Sequence, residues 1–194
     1  MATIGLKDIY FAPILEDNEN KTTYDEPIRI GRAMQANIQP QYNFADLRAD
    51  DGVAETAEAR GVTTVTVGVD DIDKEGQAII FGMEINSDGV LIDSQDDRPP
   101  YGALMFRSEK ANGAYRYVVL YKGKFTPPEK EYETKQETPA FQTPTIEGRF
   151  LDRRSDGKRG AEVDEDDDDI NESIIDNWFD KPYEETGDGG GVEG

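Results

Sequence analysis

The sequence contains no cysteine and no histidine among its 194 residues. Without cysteine there are no disulfides, no thiolate metal ligands and no cysteine nucleophile. Without histidine the chain lacks the side chain whose ordinary pKa lies near neutrality, and with it most general acid–base and zinc chemistry. A hydrolase triad built on histidine is also excluded. An enzyme is therefore the least favoured class, and we expect no catalytic residue and no cofactor.

Long apolar runs are missing as well. No stretch approaches the roughly 20 apolar residues that a membrane-spanning helix needs, and the first residues do not have the pattern of a signal peptide. We expect a protein that is made in a cytoplasm and has no membrane partner. The hydrophobic fraction of 36% allows one core with long polar loops, so we predict a single domain over residues 1–183. The glycine-rich remainder, residues 184–194, is expected to be disordered.

The charge is strongly negative, with 42 acidic against 21 basic residues and a net charge of −21. Such a surface repels phosphate backbones and anionic lipids, so ordinary nucleic-acid binding is disfavoured. The run Asp164–Asp169 invites a calcium interpretation, but the EF-hand loop needs glycine at position six and glutamate at position twelve. The sequence has Asp169 and Ile175 there. We predict no dedicated metal site, and weak divalent binding stays open.

Alternating segments predict a mainly β fold. In Val62–Val69 the side chains of Thr63, Val65, Val67 and Val69 point to one side. Asn112-Gly113 predicts a hairpin turn between Tyr101–Arg107 and Tyr115–Phe125. In the second of these strands one face carries Tyr115, Tyr117, Val119, Tyr121 and Phe125, and the other carries Val118 and Leu120. A strand that is apolar on both faces is covered on both sides, by its own fold or by another subunit.

Further strands are expected at residues 9–15, 28–34 and 140–151, and Pro40 restricts its strand to an edge or a bulge. Apolar spacing predicts one flanking helix from Asp70 or Asp71 to Phe81 and a short C-terminal helix from about Asp169 to Phe179. The second helix belongs to an acidic C-terminal segment, about residues 162–183, whose carboxylates we expect to face water and the helix dipole. Two polar stretches, residues 48–61 and 126–138, are predicted to be long interaction loops.

Several short motifs resemble, in order, the major tail proteins (tail tube proteins) of siphophages that infect Gram-positive bacteria. The resemblance extends from residue 2 to about residue 183. The motifs are Ala2–Tyr10, Ala49–Glu55, Thr66–Asp71, Phe106–Ser108, Tyr115–Tyr117, Tyr121–Phe125, Phe141–Gly148 and Ile175–Phe179.

This resemblance implies a tail-tube-type β-sandwich with a flanking helix, and a homo-oligomer in which hexameric rings stack into the tail tube of the virion. The implied function is a negatively charged conduit for DNA ejection, through which genome DNA passes without specific binding. The implied partners are the tail terminator, tape measure and baseplate or distal tail proteins, and assembly would take place in the host cytoplasm.

An assembly of such acidic subunits needs cations at its contacts. We predict that the surface between subunits or rings includes basic residues together with residues of the two polar stretches. The residues are Arg29, Arg32, Arg48, Asp50, Asp51, Val53, Arg60, Arg116, Lys124 and Tyr132.

Two alternatives remain open. An acidic DNA-mimic inhibitor would use the same charge to occupy the cleft of a DNA-binding enzyme, although here the carboxylates concentrate near the C-terminus. A calcium-dependent Ig-like surface binding module would use the acidic run.

Overall fold

A computed structural model describes residues 2–49, 52–129 and 143–185 of the chain. The described part is mainly β, as predicted, with eleven strands and two short helices. In chain order the elements are β1 Thr3–Asp17, β2 Thr22–Tyr24, β3 Ile28–Gly31, β4 Ala33–Ala49, β5 Gly52–Val69, α1 Lys74–Phe81, β6 Glu84–Ile85, β7 Leu91–Ile92, β8 Gly102–Lys110, β9 Tyr115–Thr126, β10 Thr145–Leu151, β11 Gly160–Asp164 and α2 Glu172–Asp176.

Nine of the strands form one antiparallel sheet in the order β2-β1-β8-β9-β10-β5-β4, with β3 on β1 and β11 on β9. The edge of β9 that faces away from β8 is shared between two strands. Its first half pairs with β11 and its second half with β10. Side chains from β1 and β3, near one end of this order, and from β5, near the other, meet in one core. The sheet therefore curls around that core. Hydrogen bonds join these nine strands into one sheet. The structure therefore does not confirm a sandwich of two separate sheets, which stays a prediction.

The main core lies inside this curl. Thr63, Val65, Val67 and Val69 are buried, which confirms the predicted alternation in β5. The helix α1 covers one side of the core with Ile80 and Phe81. It begins at Lys74 rather than near Asp70, because the Asp73 side chain caps it by accepting a hydrogen bond from Gly76 N at 2.7 Å. It ends at Phe81, as predicted, and Gly82 caps it in the left-handed region.

The second core lies on the other side of β1, β8 and β9, and includes Met105, Tyr117, Val119 and Tyr121. Phe125 was predicted to share this face and instead belongs to the main core. The reason is an extra residue in β9. Gly102 pairs with Gly123 while Leu104 pairs with Leu120, so three steps on β9 match two on β8. A bulge of this kind moves every later side chain of the strand to the opposite face.

Residues 165–185 form a segment that we call the C-terminal strap, and it covers the second core. Ile174, Ile175, Trp178, Phe179 and Tyr183 pack onto that core. Trp178 stacks parallel to Tyr183 with ring centroids 5.9 Å apart. Helix α2 is shorter than predicted because Asn171 caps its start. The second face of β9 is thus covered by its own chain. None of the helices in the described ranges is long and apolar enough to cross a membrane.

Candidate functional site

The strands β4 and β5 form a hairpin that extends beyond the main core. Residues 48–61 were predicted to be a loop, and this prediction is wrong for the described part, because Leu47 pairs with Glu55 and Ala49 with Gly52. Among the residues with described side chains, every one from Gln39 to Phe44 and from Glu58 to Arg60 is exposed. The nine residues of β4 beyond Pro40 span roughly 30 Å at the rise of a strand. We call this part the arm.

One face of the arm continues the core-facing side of the sheet. Ile38, Pro40, Tyr42 and Phe44 alternate on one side of β4, and Ile38 packs against the main core. Further out nothing in the described chain covers them, so Tyr42 is 46% and Phe44 66% exposed. The strand β4 is also the last strand in the sheet order, so its outer edge has no strand partner in the described ranges. An isolated two-stranded hairpin is marginally stable at best, and open edges favour pairing with another chain.

The base of the arm is fixed by Arg159. Its guanidinium donates to Gly61 O at 2.7 Å and to Thr63 Oγ1 at 2.9 Å. Asp152 accepts from the same guanidinium at 2.7 Å. The Arg159 side chain is only 5% exposed, so these contacts replace the water that a charged group would otherwise need. They hold β5 at the point where it leaves the body.

A groove of about 470 Å³ lies at this base. Its walls come from β4, β5, β9, β11 and the turn before β11. The lining includes Ile38, Pro40, Arg60, Val118, Leu120 and Glu162. Apolar and charged side chains thus both line the groove.

The predicted interface residues fall into different environments. Arg60 is exposed on the arm, and Arg48 pairs with Val53 in the hairpin ladder. Arg29 lies 3.3 Å from Asp8, and Arg32, 85% exposed, lies 3.4 Å from Asp70. Lys124 is exposed beside the ring of Tyr101. Asp50, Asp51 and Tyr132 lie outside the described residues, as does most of the predicted loop 126–138.

Arg116 is engaged inside its own chain. It donates to both oxygens of Asp164, at 2.6 and 2.8 Å. This bidentate pair lowers the pKa of the Asp164 carboxyl well below its usual value. Arg116 is therefore a less available partner for a neighbouring subunit than the predicted set assumed.

The sequence did not reveal the contacts that hold the acidic run Asp164–Asp169 against the rest of the fold. Lys110, almost fully buried, contacts Asp166 and lies 2.9 Å from Asp164. Asn112 donates to Asp166 at 2.6 Å, and Tyr115 N donates to Glu165 at 2.8 Å. These carboxylates were expected to meet only water and the helix dipole. Their partners come from the β8–β9 hairpin, about 50 residues earlier, and no local pattern could have revealed them.

The contacts of Lys110 also decide whether the acidic run can be assigned as a metal site. Carboxylate oxygens of Asp164, Asp166 and Asp167 lie within 4.8 Å of one another, close enough to hold a cation together. The Lys110 ammonium already takes the place of that cation for Asp164 and Asp166. The cluster is thus arranged as an ion-pair network, and we assign no metal to it.

Ion pairs also hold the C-terminal end of the strap. Arg153, with a side chain 2% exposed, lies 2.5 Å from both Asp156 and Glu184. Its guanidinium stacks on the ring of Tyr121 at 3.8 Å, and burial raises the pKa of Tyr121 to about 12. Lys158 pairs with Glu185. Glu184 and Glu185, which were predicted to open the disordered tail, are therefore held by the body, and residues 186–194 lie outside the described residues.

The comparisons with known proteins identify the family of this chain. The family profile described as "Phage tail tube protein" matches residues 32–182. The chain therefore belongs to the phage tail tube protein family. It is a structural component of a virion tail, and this is not a family of enzymes.

The other comparisons add little. Among solved structures the chain is similar to the tube-terminating cap of the anti-feeding prophage, determined by cryo-electron microscopy, at 8% identity and a TM-score of 0.44. That alignment covers 84% of this chain and 93% of the other. A likeness this distant carries no functional argument. No curated protein matches the chain.

Proposed function

We propose that six copies of this chain close into a ring and that rings stack into the tail tube, the conduit through which genome DNA leaves the virion. Family membership supports assembly into a tube. The number of copies and the passage of DNA come from the resemblance to siphophage major tail proteins and are part of the proposal.

The observation that carries the proposal is the arm. On one face Tyr42 and Phe44 lie beside their cross-strand partners Arg60 and Glu58, and within the described residues nothing covers the two aromatic rings. The outer edge of β4 has no strand partner in the same ranges. Burying such a face gains roughly 25 cal/mol per Å² of apolar area. A second copy in the same or the next ring supplies the cover. The groove at the arm base, with Arg60 on its rim, supplies a further contact area.

The channel wall is proposed to be the outward face of β10, β5 and β4 together with the last part of β9, which the strap does not cover. Its cross-strand rows consist of polar and charged side chains. One row is Thr126, Glu147, Thr66 and Asn37, and the next is Lys124, Arg149, Thr64 and Gln39. These two rows contain no apolar side chain that could hold a passing polymer. The net charge adds repulsion that salt confines to about 8–10 Å, which prevents sticking without driving the DNA.

Because every copy is strongly acidic, we propose that basic residues take part in the contacts between copies. Arg29, Arg32, Arg48 and Arg60 remain proposed interface residues, together with Asp50, Asp51, Val53, Arg116 and Tyr132. Lys124, which was predicted with them, is proposed to lie on the channel wall. The tail terminator, the tape measure and the baseplate or distal tail proteins are the further proposed partners. Assembly is proposed to take place in the host cytoplasm.

The experiment compares Phe44→Gln with Leu15→Gln. Both side chains are 66% exposed, but Leu15 lies in β1 and Phe44 on the arm. Sedimentation velocity and negative-stain microscopy should show that Phe44→Gln loses most of its large assemblies while Leu15→Gln keeps them. Equal assembly by both variants and the parent chain would remove the arm from the proposal.

A further inference from the structure

Two cations face each other across the outward side of β9 and β10. Lys124 is the direct cross-strand partner of Arg149, and both residues are exposed. Within the described ranges neither forms an ion pair with a carboxylate. We call these two residues the cation pair.

The cation pair is unusual for this chain. Carboxylates outnumber basic residues two to one, and the other basic residues of β8 and β9 all have acidic partners. Arg107 pairs with Asp8, Lys110 and Arg116 with Asp164, and Lys122 with Asp17. Like charges directly opposite each other in a sheet are destabilising. Among the described residues, no carboxylate offsets the repulsion between Lys124 and Arg149.

The surroundings of the cation pair are polar. In the same cross-strand row lie Thr64 and Gln39, and in the next row lies Glu147, the carboxylate nearest in register. The Nζ atoms of Lys122 and Lys124 are each 5.3 Å from the centre of the Tyr101 ring. Tyr101 is the one large apolar side chain in contact with the described cations there, and it is 37% exposed. The centres of protein interfaces are richer in apolar and aromatic side chains than this.

We propose that the cation pair is a contact site for the phosphate backbone of duplex DNA, and this rests on the proposed channel wall. Two adjacent cations that have no carboxylate partner among the described residues, in a row of hydrogen-bonding side chains, suit an anionic polymer whose sequence the protein does not recognise. Contacts of Lys and Arg with phosphates are independent of sequence and weaken steeply with salt. In a hexameric ring the pair would recur six times around an otherwise neutral to negative wall, giving weak contact that keeps the DNA centred.

The test measures binding of a short fluorescent DNA duplex by anisotropy as a function of salt. It compares the parent chain with Lys124→Gln/Arg149→Gln. The control is Arg154→Gln/Lys181→Gln, which removes the same charge from two other exposed residues. We expect the first variant to weaken binding at low salt about tenfold and to reduce the slope of log K against log salt by about two, or 0.9 per phosphate contact. The control should change neither value.

Stability and assembly separate this proposal from the alternatives. Because like charges are removed, the first variant should melt at the same or a higher temperature than the parent chain, so that lost binding is not lost folding. Equal DNA binding by the two variants would overturn the proposal. Loss of tubes in the first variant alone would also overturn it, by assigning the pair to an acidic surface of a neighbouring copy. If the parent chain itself forms no tubes, the proposed function fails, while the anisotropy still decides whether the pair contacts phosphate.

Discussion

The ammonium of Lys110 lies 2.9 Å from the carboxylate of Asp164, and the two side chains are 5% and 15% exposed. This contact ties the end of β8 to the start of the C-terminal strap. Replacing Lys110 with methionine leaves Asp164 and Asp166 facing each other without their shared cation. We expect the melting temperature to fall by roughly 5 °C.

Calorimetry or circular dichroism measures that change. The matched control is Lys21→Met, which breaks the exposed Lys21–Glu16 pair and should shift the melting temperature by little, since exposed pairs contribute about 0–1 kcal/mol. A Lys110→Met chain as stable as its parent would show that the network does not hold the strap.

As the pH is lowered, the strap should detach before the rest of the fold unfolds. Arg116 lowers the pKa of Asp164, and Lys110 lowers the pKa of Asp166. A carboxyl with a lowered folded-state pKa stabilises the fold above its unfolded value of about 3.9, and this stability is lost as the pH falls further. The chain has a single tryptophan, Trp178, which belongs to the strap and is buried in the second core. Its emission should shift to longer wavelength as the pH falls below about 4.

Two variants check this assignment. Asp164→Asn should move the tryptophan transition to higher pH or remove the strap's order already at neutral pH. Asp168→Asn changes an exposed carboxylate in the same run and should leave the transition where it is. Tryptophan emission that stays constant down to pH 2 would contradict the electrostatic hold on the strap.

Gly123 allows the ring of Phe150 to lie against the backbone of β9. A Cβ atom at this position would sit 2.4 Å from that ring. Overpacking of this kind usually costs about 1–3 kcal/mol, so Gly123→Ala should lower the free energy of unfolding by about 2 kcal/mol in chemical denaturation. Gly5→Ala is the control, because its Cβ would meet its nearest neighbour at 3.6 Å. Similar costs for both substitutions would mean that Phe150 moves aside freely.

Arg159 should control the order of the arm base. Arg159→Met removes the donors to Gly61 O and Thr63 Oγ1, and bonds from a charged donor contribute roughly 1.5–3 kcal/mol each. We expect about 3 kcal/mol or more of lost stability, faster amide exchange near residues 61–63, and weaker assembly. Arg154→Met, on an exposed neighbour, should change none of these. If amide exchange near residues 61–63 is unchanged in Arg159→Met, residues other than Arg159 hold the base of the arm.

The parts of the fold that depend on local pattern were predictable. Thr63, Val65, Val67 and Val69 alternate strictly and are buried, and Gly113, with a φ of 89°, forms the turn expected of Asn-Gly. Gly82 ends its helix as a left-handed cap. The mainly β class and the family followed from these elements and from the ordered motifs.

The parts that depend on distant or uncovered residues were not predictable. The outer part of the arm, residues 48–61, lacks the apolar alternation that signals a strand. The one-residue bulge in β9 has no local marker, and it moved Phe125 to the other core. The buried cations Lys110, Arg153 and Arg159 are defined by partners in other elements. The residues proposed for subunit contacts are a special case, because their partners lie in another copy of the chain.

Negative-stain electron microscopy of the purified full-length chain at high concentration tests the central claim most directly. If other copies cover the face and edge of the arm that the described residues leave open, the protein should appear as rings with sixfold end views and as hollow tubes of stacked rings. A protein that stays a stable monomer at every concentration and salt, with or without the other tail components, would contradict the account.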